Sequence, residues 1–69
     1  MRTLTERTAE GAEFRCADTA DTFDVIAQDP GSSPEVQAAA ERAAEALRVA
    51  ERACAEVFDA ARRERLKKE

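Results

Sequence analysis

Ser33-Pro34-Glu35-Val36 opens the run SPEVQAAAERAAEALRVAERACAEVFDAARRERLKK, residues 33–68, and its periodicity decides the fold. Ser33 reads as an N-cap, Pro34 suits the first helical position, and Glu35 places an acid in the first turn. Val36, Ala40, Ala43, Leu47, Ala50, Cys54, Val57 and Ala61 then recur in alternating steps of four and three, the spacing of a helix seam. Ala39, Ala46, Ala53, Phe58 and Ala60 widen that stripe, while Glu41, Glu45, Arg48, Arg52, Glu56, Asp59 and Arg63 form the opposite, polar face. Ala, Glu, Arg and Leu are strong helix formers, and neither Gly nor Pro interrupts them. The spacing predicts a helix over 34–67, ~50 Å long at 1.5 Å per residue.

Upstream, Asp29-Pro30-Gly31-Ser32-Ser33 is the one clear break. A residue before proline is pushed out of the α region, so a preceding helix ends near Gln28. Gly31 is expected to supply a positive φ after that end. In residues 1–28, Ala9, Ala12, Cys16, Ala20, Phe23, Ile26 and Ala27 share one helical face. Glu6, Glu10, Glu13, Arg15, Asp18, Asp21 and Asp24 lie mostly on the other, with Phe14 and Val25 pointing away. Thr3 and Glu6 have capping-box spacing. The expectation is a single all-α domain, 1–69: a helix over about 3–28, a turn at 29–33 and the long helix, folded as an antiparallel hairpin. The alternative is a three-stranded sheet from Leu4–Thr8, Ala12–Ala17 and Thr22–Ala27 beside one long helix. Gly11 and the threonines favour it; the shortage of β-branched and aromatic residues opposes it.

The 69 residues allow only a thin core, because much of the 43% hydrophobic content is Ala. Two hairpins joined as a four-helix bundle would cover the stripe from both sides. Val36, Ala40, Ala43, Leu47, Ala50, Cys54, Val57 and Phe58 are the expected interface residues.

Charge narrows the partners. The net charge is −4, with −5 carried through Glu35 and +1 beyond it, where Arg62, Arg63, Arg65, Lys67 and Lys68 gather. Those cations complement a helix C-terminus, and an acidic chain is a poor match for nucleic acid. No apolar run reaches membrane-spanning length and no secretion signal opens the chain, so the expected location is cytoplasmic. There is no His, and no HExxH, P-loop, GxGxxG or CxxC pattern, so catalysis is not expected.

Cys16 and Cys54 both fall on apolar stripes, where a free thiol acts as a small hydrophobe. They are also the only candidate metal ligands. With residues 28 and 34 flanking the loop, Cys16 would face Ala46 and Cys54 would face Thr8. The sulfurs would then stand ~12 Å apart along the axis. That excludes an intrachain disulfide, which needs Cα atoms within ~7 Å, and leaves only an intersubunit one.

Cys16-Ala17-Asp18-Thr19-Ala20-Asp21, Glu41-Arg42-Ala43-Ala44-Glu45-Ala46 and Arg52-Ala53-Cys54-Ala55-Glu56 resemble the cysteine-rich four-helix copper-storage bundles. The resemblance implies a bundle interior lined by thiols and Cu(I) as cofactor. Here Ala20, Ala43 and Ala50 stand at interior places where that family has cysteine. The Ser-Pro-Glu helix start and the Ala/Glu/Arg runs also resemble designed, idealised helical proteins. The expected function is a non-catalytic, homo-oligomeric helical scaffold or protein-interaction module without cofactor. The alternatives are a soft-metal, Cu(I)-binding bundle using Cys16 and Cys54, and a small acidic adaptor or inhibitor whose long helix enters a partner's groove.

Overall fold

The computed structural model describes residues 1–69 as two helices, α1 (Leu4–Ala27) and α2 (Pro34–Lys68), with no strand. The sheet alternative is therefore excluded. Arg65 reaches Glu6 while Arg48 reaches Asp24, so the helices run antiparallel. The Cα trace measures 54 × 15 × 11 Å, which is one hairpin thick.

Each helix begins as its residues dictate. Thr3 Oγ1 accepts the Glu6 N–H at 3.2 Å and Glu6 Oε1 accepts the Thr3 N–H at 3.3 Å, completing the capping box. At α2, Ser33 Oγ accepts the Val36 N–H at 3.2 Å, ahead of Pro34 in the first turn. The turn between them departs from expectation. Gln28 caps α1 in the right-handed region and no glycine has a positive φ. Asp29 shapes the turn instead: its Oδ1 accepts the Gly31 N–H at 2.9 Å. Its carbonyl accepts the Ser32 N–H at 3.1 Å and the Gln37 amide at 2.7 Å. A Cβ on Gly31 would stand 3.2 Å from Asp29 Oδ1, so smallness, rather than a left-handed backbone, is what this position uses.

The interior is thin. The fully buried apolar residues are Ala9, Ala20, Ala40 and Ala44; the one buried residue larger than alanine is Glu6. Along α1, Glu6, Ala9, Glu13, Cys16, Ala20, Asp24 and Ala27 are buried or half-buried. Along α2, Ala40, Ala44, Leu47, Glu51, Cys54, Phe58, Ala61 and Arg65 are. Phe14 and Val25 project outward, 64% and 71% exposed.

Glu6 corrects its assignment to the polar face. Its carboxylate takes the Arg65 Nε–H at 2.7 Å, and Arg65 is itself mostly covered. The Arg65 hydrogen bond holds the Glu6 carboxyl below its ordinary 4.5; burial opposes this, and Thr3 adds to the lowering. Because the folded value is depressed, the pair's contribution is complete above pH 4.5 and disappears as pH falls through the folded value. Thermal unfolding followed against pH should therefore show stability falling on the acid side of that value. Glu6→Gln should flatten that dependence; an unchanged acid slope would mean that other carboxylates govern it.

Gly11 is a second local finding. A Cβ there would meet only the flexible end of Arg15, at 3.4 Å. Gly11→Ala is therefore expected to stabilise the protein by about 0.5–1 kcal/mol, read as a higher urea midpoint.

Candidate functional site

The two flanks of the hairpin differ in chemistry. On one flank, side chains of both signs bridge the helices. Arg48 pairs with Asp24 and lies 3.8 Å from Asp21. Arg2 pairs with Glu10 and lies over the Phe58 ring, 5.2 Å from its centroid. The polar-face placement of Arg48 therefore needs refinement, because the side chain is half-buried and ties α2 to α1. The hydrogen bond that Arg48 donates to Asp24, with the charge of Asp24, Asp21 and Glu51 behind it, raises the Arg48 pKa against the opposing effect of burial.

The other flank is built mainly from Ala, Thr, Val, Phe and Ile, with Arg15 of α1 exposed at its edge between Ala12 and Thr19. On α2 it is the strip Val36, Ala39, Ala43, Ala46, Ala50, Ala53 and Val57, in steps of three and four. On α1 the matching strip is Thr5, Thr8, Ala12, Thr19, Phe23 and Ile26. Two shallow apolar grooves lie where these strips meet. A groove of about 340 Å³ is lined by Leu4, Thr5, Thr8, Ala9, Ala12, Cys54 and Val57. Nearer the turn, one of about 400 Å³ lies among Phe23, Ile26, Val36, Ala39, Ala40 and Ala43. A third concavity, at the termini, is polar and includes Glu64, Arg65 and Lys68.

The expected interface residues divide between two environments. Ala40 is buried, and Leu47, Cys54 and Phe58 are half-buried on the line that packs within the hairpin. Val36 and Val57 are about half exposed, at 48% and 51%, and flank it with Ala43 and Ala50 on the uncharged strip. One stripe read from the sequence thus serves two surfaces. Hydropathy alone could not divide it, because alanine occupies both. The threonines of α1 carried the missing signal: Thr5, Thr8 and Thr19 stand where a solvated helix would carry Glu or Lys.

Cys16 and Cys54 are placed differently from the sequence register. They lie on the half-buried lines of the two helices, and the Glu6–Arg65 and Asp24–Arg48 pairs set them closer along the axis than that register does. Burial pushes the Cys54 thiol up, and Cys16, on the other helix, adds to this. Glu13 acts in the same direction and Arg15 against it. The register error has a physical source. A level meeting at the loop would set Asp24 opposite residue 38 and Glu6 opposite residue 56, but they pair with Arg48 and Arg65, so the first turns of α2 extend past the end of α1, and the lean of long side chains adds to the offset. No group of three or more His, Cys, Asp or Glu side chains is arranged to hold a metal ion, so the pair offers two sulfurs where the copper-storage resemblance implied many.

No helix is long and apolar enough to cross a membrane. The chain matches no protein-family model, no curated protein and no solved structure.

Proposed function

We propose that this chain is a non-catalytic, self-associating helical module, in which the charge-poor flank of one hairpin packs against the same flank of a second copy. The result is a four-helix bundle with the Ala/Thr strips inside and the ion-paired flanks outside.

The observation that carries this reading is surface area. A compact 7.6 kDa protein exposes about 4300 Å². The hairpin exposes 5108 Å². The excess, about 800 Å², is what each partner typically covers in a stable protein–protein interface. A flank this poor in charge is the place where covering that area costs least, since few ions have to be stripped of water and the long Arg15 side chain at its edge can keep its head solvated. Small residues along α2 also let a second helix approach closely. The same strip facing itself is self-complementary, as a two-fold dimer requires.

Light scattering on a dilution series at micromolar concentrations tests the reading. The expected mass is at least twice the 7.6 kDa of one chain. A hairpin that stays folded at single-chain mass throughout would overturn it and leave the flank to a helix from a different protein.

A further inference from the structure

The geometry points to an intrachain redox clasp, in which Cys16 and Cys54 join as a disulfide that ties α1 to α2 at mid-hairpin. This stands independently of self-association, since both thiols belong to one hairpin.

The register is fixed from two sides. Glu6 meets Arg65 near one end of α1, and Asp24 meets Arg48 near the other. Carried between these anchors, the side-chain register sets residue 16 against about residue 55 or 56 of α2, one or two residues from Cys54, an offset of ~2–3 Å along the axis. The rotational phase agrees. Cys16 sits on the packed line of α1 between Ala9 and Ala20, and Cys54 on that of α2 between Leu47 and Ala61. Ala12 and Ala20 on α1 and Ala50 on α2, each one turn from a cysteine, are small, which favours the close helix approach that a disulfide needs, with Cα atoms under ~7 Å apart. Both thiols are free and half-buried, and Cys54 also lines the apolar groove beside Val57, which gives a small oxidant a route in.

The chemistry balances with a low-molecular-weight disulfide as oxidant. One cysteine thiolate attacks the oxidant's sulfur, forming a mixed disulfide and releasing one small thiol. The second cysteine attacks the protein sulfur of that mixed disulfide and releases the other small thiol. The chain loses two electrons and two protons, and the oxidant is reduced to two thiols.

The test uses the full chain, reduced and then treated with oxidised glutathione, in buffer and in concentrated urea. The expected product is a single chain lighter by two hydrogens that no longer reacts with iodoacetamide. It should close at least tenfold faster in buffer than in urea, and its urea midpoint should exceed that of the reduced protein. Cys16→Ser and Cys54→Ser should each stop at a glutathione adduct, with the circular dichroism of the parent showing that the hairpin is intact. Closure no faster in buffer than in urea, or disulfides formed only between chains, would overturn the inference.

Discussion

Ala46→Glu combined with Ala53→Glu is expected to leave a folded hairpin of single-chain mass. Both alanines are exposed in the isolated hairpin, and Glu is a good helix former, so neither change disturbs the packing of α1 on α2. Both lie on the uncharged strip. In the proposed bundle they would bury four carboxylates, two from each copy, on an α2 strip of Val and Ala that holds no cation to meet them. Burying an unpaired carboxylate is prohibitively unfavourable, so the assembly gives way rather than the group. Light scattering should show the mass halving for a dimer, while far-ultraviolet circular dichroism stays helical. Association normally adds to apparent stability by mass action, so the variant should also unfold at a lower urea concentration. Val49→Glu is the control: Val49 is 53% exposed on the outward side of α2 and should leave the mass unchanged. If the double variant keeps the parent mass, the copies meet elsewhere.

Leu47→Asp is expected to unfold the chain. Leu47 is the largest aliphatic side chain on the packed line of α2, in an interior that otherwise buries alanines. Removing a buried leucine costs ~2–5 kcal/mol, and a half-buried one falls in the lower part of that range before the new carboxylate is counted. A chain this small rarely has more than ~3–5 kcal/mol in all. The cooperative urea transition should therefore vanish, with much of the helical signal. Arg52→Asp, exposed, one turn along α2 from Arg48 and outside the Asp24 ion pair, should change stability by only about 0.5 kcal/mol. Arg48 would be a poor control, because it holds Asp24. Equal losses at Leu47 and Arg52 would mean that α2 is turned differently against α1. The two experiments separate cleanly: the alanine pair should lose partners and keep its fold, whereas Leu47→Asp should lose both.

Much of the architecture could be read before any coordinate. Ser33, Pro34 and Glu35 start α2, Thr3 and Glu6 start α1, and Asp29-Pro30 forces the break. All of these act through backbone geometry within four residues, which is why local sequence suffices. The outward positions of Phe14 and Val25 followed from helical phase in the same way.

Three things were decided by the tertiary structure. Glu6 looked solvated because hydropathy scores a carboxylate alone, yet Arg65, on the far end of the other helix, makes its burial tolerable. The alanine stripe looked like one surface because alanine is equally suited to a packed seam and an open flank; only the lateral position of α1 assigns Ala40 and Ala44 to the first and Ala46 and Ala53 to the second. Cys16 and Cys54 looked distant because counting back from the turn assumes that the helices meet level at the loop. The Asp24–Arg48 and Glu6–Arg65 pairs set α2 farther along than that, which brings Cys16 and Cys54 closer along the axis. Starts, stops and helical phase are local properties, so the sequence determined them by itself. Register, burial of charge and the division of one apolar stripe into two surfaces depend on where the second helix lies, and that is settled only when the two pack.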